Sequence, residues 1–302
     1  MPAEHSPGQF DSPHFNSVAG TRFADVEWYE EIGSTNTELL DRARSGAPEG
    51  MVLIADLQTA GRGRRGRQWT APPGTSLMMS VLLRPPPGPL PPSRAALVTL
   101  AVGLAAADAC EQVSGVRPRL KWPNDLVIAG RDRADHGADR DDRKLAGILA
   151  ESITAQGLLS ALVVGMGLNT GWPEVPAELE SVATSLNLEA GTPVDRTLLA
   201  HRVLEGTEAR YELLCRAGDG AGAAVVLEEA RRNSATLGRR VRVSLDATPD
   251  ATVTDRHSLE GLASDLDAEG RLLVCDDAGI THTVSVGDVV HVRPALDRSR
   301  RE

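Results

Sequence analysis

Cysteine is scarce: the 302-residue chain has three, Cys110, Cys215 and Cys275, far apart and without a C-x-x-C pair. That excludes a disulfide-stapled scaffold and a cysteine-built zinc site. Each thiol reads as a small buried hydrophobe. No purely apolar run reaches 18 residues, so no membrane-crossing helix is expected. The first 20 residues are rich in Pro, Ser, His and Gly and lack the apolar centre of a signal peptide. They read as a disordered extension, and a reducing cytoplasm is the natural compartment. A cationic excess is missing too. The net charge of −10 argues against general nucleic-acid binding, which needs a broad basic surface. There is no Walker A Gly-Lys-Ser/Thr, and no G-x-G-x-x-G leading into a helix. What remains is ordinary for a globular chain, with 41% hydrophobic and 25% charged residues. The length suggests about two domains and a substantial core.

Against this background one stretch stands out. Gln58-Thr59-Ala60 leads into Gly61-Arg62-Gly63-Arg64-Arg65-Gly66-Arg67-Gln68-Trp69, with four arginines and three glycines in seven positions. Apolar runs flank it, Met51 to Leu57 before and Ser76 to Leu83 after, giving strand, basic loop, strand. Glycine lets backbone approach a ligand closely, and the arginine fork suits phosphate. The loop reads as an anion site that folds over a polyphosphate, as a flexible, solvated basic loop, or as a nucleic-acid patch.

The rest of the chain supplies candidate partners. Phe23 to Ile32 reads as a strand, followed by Gly33-Ser34-Thr35-Asn36 at the start of a helix. Thr35 with Glu38 matches a capping box, and Gly46 can close the helix. Ser34, Thr35 and Asn36 fit simple capping, and equally a polar ligand held at a helix N-terminus. After a Pro-rich turn, Ser93 is expected to cap a helix to about Val113, with Leu97, Leu100, Leu104 and Ala107 facing the core. In Leu120-Lys121-Trp122-Pro123-Asn124-Asp125, the proline must interrupt a strand. Asn124 and Asp125 form either a plain turn or, with Lys121, polar groups of a site. Gly130 to Arg143 holds four arginines and five aspartates and reads as a solvated hairpin insertion. Lys144 opens the buried strand Lys144-Leu145-Ala146-Gly147-Ile148-Leu149-Ala150-Glu151, either reaching solvent or aimed into a site. In Gly165-Met166-Gly167-Leu168-Asn169 two glycines permit close approach, and Asn169 marks a strand end. Helices are expected at Asp195 to Cys215 and Ala221 to Ser234. After Gly238 short strands alternate with turns (Arg240–Leu245, Thr252–Thr254, Leu259–Leu266, Leu272–Cys275, Thr281–Val284, Val289–Val292), which suggests a small β-barrel.

These segments, in this order and spanning roughly residues 25 to 295, resemble the biotin–protein ligase family, the BirA-type biotin–[acetyl-CoA-carboxylase] ligases. The resemblance implies an α+β fold. Its catalytic part is a mixed sheet flanked by helices, as in class II aminoacyl-tRNA synthetases, followed by a small SH3-like barrel. The division expected is 1–20 extension, 21–235 catalytic domain and 236–302 C-terminal domain. It implies that biotin and MgATP give biotinyl-5′-AMP, whose biotin passes to one lysine of a biotin carboxyl carrier domain. Carried over by position, Ser34, Thr35, Asn36 and Gln58 would hold the biotin head. Arg62, Gly63 and Arg64 would contact the acyl chain and phosphate, with Lys144 and Gly147 beside the carboxylate and α-phosphate. Asp125 would face the attacking lysine or help hold the metal. Trp69, Lys121, Asn124, Asn169 and Arg293 would support the nucleotide pocket. The metal ligands stay unknown, and the resemblance admits a homodimer. The short polar start leaves no room for a winged helix, so no repressor activity is expected. The rivals are a lipoate-ligase relative and a non-catalytic biotin-binding module.

Overall fold

The computed structural model describes residues 22–130, 142–216, 220–244, 258–285 and 288–291. The extension over residues 1–20, most of the insertion, the strand expected at Thr252–Thr254, and Arg293 lie outside them.

A seven-stranded sheet forms the main layer, in the order β1-β2-β3-β7-β6-β5-β4. The strands are β1 (Asp25–Ile32), β2 (Met51–Gln58), β3 (Ser76–Leu83), β4 (Arg119–Lys121), β5 (Asp125–Ile128), β6 (Arg143–Ala155) and β7 (Leu158–Asn169). β1 and β2 run parallel and the others antiparallel, so the sheet is mixed. Alternating side chains point to opposite faces of a strand, and here both faces are covered. Leu53, Leu82, Ala161 and Val163 pack under α1 (Thr35–Arg44) with Leu39, Leu40 and Ala43. Val52, Ile54, Leu162 and Val164 join the larger core on the other face. That core is built on α2 (Ala96–Ser114), α4 (Arg196–Cys215) and α5 (Ala221–Arg232). A short α3 (Leu186–Ala190) precedes α4.

Leu97, Leu100, Leu104 and Ala107 are all buried, as their spacing predicts. The helical span Pro92–Ser114 is long and apolar enough to cross a membrane by length and composition alone, yet 67% of its apolar window is buried inside the molecule. Its apolarity is accounted for by the core it fills. Two helix starts differ from expectation. Ser34, not Thr35, caps α1: it keeps extended backbone and its Oγ accepts from Thr37 N, while Glu38 pairs with Arg42 one turn on. Ser93 does not cap α2, because Pro92–Arg94 forms a three-ten turn that enters the helix with Ala95 already helical.

The second sheet has five antiparallel strands in the order β11-β10-β9-β8-β12. They are β8 (Arg240–Ser244), β9 (Ser258–Leu266), β10 (Leu272–Cys275), β11 (Thr281–Val284) and β12 (Asp288–His291). The chain leaving α5 runs along the outer edge of β4: Leu120 N donates to Asn233 O and Ala235 N to Leu120 O. The small sheet is thereby seated beside the β4–β5 turn, where the Trp122 indole N–H donates to Gly270 O at 3.0 Å.

Candidate active site

A cavity of about 370 Å³ opens over the carboxyl ends of β2 and β7 and the glycine-bearing middle of the sheet. Its polar end is made by the start of α1. Ser34, Thr35 and Asn36 are all buried and line it together with Gln58 and Ser80. Gln58 Oε1 accepts from Thr35 N at 2.8 Å. Thr35 Oγ1 and Ser80 Oγ are 2.7 Å apart, and Ser80 donates to Asn36 Oδ1 at 2.8 Å. The whole group is neutral. It is held in place because α1 is fixed at its far end. Arg84 donates to Ala43 O, Ala47 O and Ser160 O. Arg42 reaches Glu27 and Tyr29 on β1. The hydrogen bonds from Arg42 and Tyr29 hold the Glu27 carboxyl below its ordinary range.

The arginine loop forms one wall. It closes on itself through an Arg62–Gln68 bridge and a Gly63 N to Arg67 O bond of 2.7 Å. At its tip Arg65 (φ 56) and Gly66 (φ 71) take left-handed backbone, which is the work expected of a glycine there. Arg64 donates to Asn124 Oδ1 at 3.1 Å, and Asn124 is fixed by its own bond to Ile148 O. Arg62 pairs with Glu151.

Opposite lies Lys144, whose Nζ is 2.7 Å from Asp125 Oδ1 and sits over the Trp69 ring, 5.6 Å from its centre. Its backbone is held on one side by Val127 of β5 and on the other by bonds to Val182 O and from Thr184 N. Lys144 is thus aimed into the site rather than at solvent. The Trp69 indole packs against two cross-strand partners, Gly147 and Gly167. A methyl group on Gly167 would fall 2.4 Å from Cε2 of that ring. On Gly165 it would fall 2.1 Å from Asn36 Oδ1. The close approach expected of the two glycines in the β7 motif is therefore real and specific.

Ser34, Thr35, Asn36, Gln58, Arg62, Gly63, Arg64, Lys144 and Gly147 all line one cavity, as do Trp69, Lys121, Asn124 and Asp125. Asn169, expected to support the nucleotide pocket, is not among the residues that line the cavity. It is buried at the end of β7, donating to Thr184 O and accepting from Ser76, and so meets the site only through the segment that pins Lys144. Arg293 lies outside the described residues. Sequence reasoning missed Ser80 and Glu151. The available signal for Ser80 was a lone hydroxyl inside the otherwise apolar run Leu77 to Leu83. Glu151 gave none beyond a charge late in a buried strand.

Among the described residues no group of three His, Cys, Asp or Glu could hold a metal. The one carboxylate among the cavity's lining residues is Asp125.

A neutral hydrogen-bonding pocket thus adjoins a cluster of cations in one cavity. Residues 28–169 match the model of the biotin/lipoate A/B protein ligase family. A biotin–[acetyl-CoA-carboxylase] ligase of Mycobacterium tuberculosis is 39% identical over 280 residues, covering 91% of this chain and 92% of the relative. The bifunctional ligase/repressor BirA of Escherichia coli is 35% identical over 187 residues, where the match spans 62% of this chain and 53% of that protein. A biotin protein ligase of Aquifex aeolicus, solved in complex with biotin and ATP, superposes with a TM-score of 0.68 at 24% identity, covering 90% of this chain and all of the other. The chain belongs to the biotin–protein ligase family.

Proposed function

We infer that this chain is an ATP-dependent biotin ligase, which activates biotin as biotinyl-5′-AMP and transfers it to a lysine of a biotin carboxyl carrier domain. The observation that carries this is the polarity gradient of the cavity, from the neutral Ser34–Thr35–Asn36–Gln58–Ser80 end to the Arg62, Arg64 and Lys144 end. Biotin has the same gradient, a neutral ureido head and an anionic carboxylate.

In the first step a carboxylate must meet a polyphosphate. Arg64 and Lys144 are placed to lower that repulsion, and such preorganised charge is usually the largest catalytic contribution. Mg²⁺ on the phosphates would neutralise more of the charge. Lys144 exchanges its Asp125 partner for the anionic reactants. Asp125 then remains at the rim to orient the carrier ammonium or accept its proton in the second step. Trp69, on its glycine floor, offers the ring face for the nucleotide, with Lys121 and Asn124 beside it.

Residues 21–235 form the catalytic domain in this reading and 236–302 the C-terminal domain. The cytoplasm is its proposed location, where the cysteines stay unpaired. The apolar ring of lipoate would make no hydrogen bonds with the hydroxyls and amides that line the head pocket, whereas a ureido group would, and this argues against the lipoate alternative. The deciding test is a mass measurement. Incubation with biotin, MgATP and a carrier domain should add one biotinyl group to the carrier. Absence of that mass, with no biotin-dependent pyrophosphate exchange, would overturn the reading.

A further inference from the structure

Glu151 is a charged residue in β6 that the mechanism above does not use. Its Oε2 accepts from Asn36 Nδ2 at 3.0 Å. The same carboxylate pairs with Arg62 through both oxygens, each at 3.0 Å. It therefore touches the buried head pocket and the arginine loop at once.

The chemistry of these contacts fixes a direction. A carboxylate can only accept, and so can Leu149 O, the other partner of Asn36 Nδ2 at 3.2 Å. The Asn36 amide nitrogen must therefore face β6. Its oxygen is left on the Gly165 and Ser80 side of the cavity wall. Hydrogen bonds to an ionised acceptor are the stronger ones, so the carboxylate dominates the choice. A head group meeting Asn36 thus finds an acceptor, which suits a ligand N–H.

We propose that Glu151 is a positioning residue that fixes the Asn36 amide as an acceptor for the N–H of the ureido head and, through Arg62, tethers the arginine loop to the same pocket. The proposal rests on the biotin reading. It makes head recognition and loop placement properties of one carboxylate.

The test uses the full chain and two isosteric changes. Biotin and ATP binding are measured by calorimetry in wild type, N36D, E151Q and the double variant N36D/E151Q. A carboxylate at position 36 would oppose Glu151 with a second acceptor, so N36D should weaken biotin binding by about tenfold or more. In the double variant the amide introduced at position 151 can donate to that carboxylate, and a clear part of the loss should return. In E151Q alone, the amide oxygen at position 151 still accepts from Asn36, while the amide nitrogen meets Arg62 donor to donor. Biotin affinity should fall several-fold, because the ionised acceptor that holds the Asn36 amide is lost, and biotin should no longer protect the Arg62–Arg67 segment from trypsin. Unchanged ATP binding in the same samples reports an intact cavity. A double variant that binds biotin no better than N36D, or E151Q with wild-type loop protection, overturns the proposal. Failure of the wild type to bind biotin would instead overturn the ligase reading.

Discussion

Lys144 carries the sharpest expectation at the scale of single residues. Lys144→Ala should lower biotin-dependent pyrophosphate exchange at least about a hundredfold, the usual consequence of removing one preorganised charge worth about 3 kcal/mol. The melting temperature should barely change, because the fold needs only the backbone of this residue, held by Val182 and Thr184. Near wild-type exchange would remove Lys144 from the mechanism. The two glycines of β7 give a paired test. Gly165→Ala drives a methyl into Asn36 and Ser80, and should raise KM for biotin; Gly167→Ala drives one into Trp69, and should raise KM for ATP. The two effects exchanging places would reverse the assignment of head pocket and nucleotide floor. These roles were partly legible in the sequence, since glycine types announce close approach. What approaches them was not. Gly147 faces Gly167, and Ser80 faces Gly165, only through strand register. No local pattern encodes which residues two distant strands will pair.

The elements explain how precise such a site can be. α1 presents its N-terminus to the cavity while Arg84 gathers three carbonyls near its other end. Arg84→Met should cost about 2–3 kcal/mol, through lost charged hydrogen bonds and unpaired carbonyls, and lower the melting temperature by roughly 5–10 °C. It should also raise KM for biotin without touching the ligand, a result that steady-state kinetics beside a thermal melt will show. An unchanged KM would mean that α1 holds its position without this anchor. Helical spacing was enough to place α2 and its buried face, and cap and glycine signals placed α1. Caps were less legible: Ser34, Thr35 and Asn36 are all good cap residues, and only the extended backbone at Ser34 decides among them. Ser93 failed as a cap because the preceding prolines impose their own turn.

Across the whole molecule, the described residues of the small sheet share one hydrophobic cluster with the larger sheet and its helices, and polar ties join them as well. Trp122 reaches Gly270, and Arg239 pairs with Asp142, whose side chain is 2% exposed. The insertion was read as a solvated hairpin, but its last aspartate is one of these ties, accepting also from Gly130 N. Replacing residues 131–141 by a short Gly-Ser turn while keeping Asp142 should leave activity nearly unchanged, since loop length costs only about 0.6 kcal/mol per doubling. Asp142→Asn, by contrast, weakens a buried pair and should cost about 2–3 kcal/mol of stability. A large loss of activity in the folded, shortened protein would give the segment a role in substrate or carrier contact. The switch from helices to short strands near residue 236 was plain in the sequence. The ties across it were not, because each joins residues far apart in the chain.

The placement of Trp69 has an optical consequence. The chain has four tryptophans, and Trp69 lies on the cavity floor with an ammonium 5.6 Å from its ring centre and its indole N–H buried without a partner. An excited indole is sensitive to nearby charge and to stacking. A ligand that draws Lys144 away, or covers the ring, should change the emission of the unlabelled protein. Titration with ATP and biotin should give a saturable fluorescence signal that Trp69→Phe removes. A signal that survives the substitution would trace it to Trp122, which shares the cavity wall. Trp69 would thus report ligand binding at this cavity without any added label.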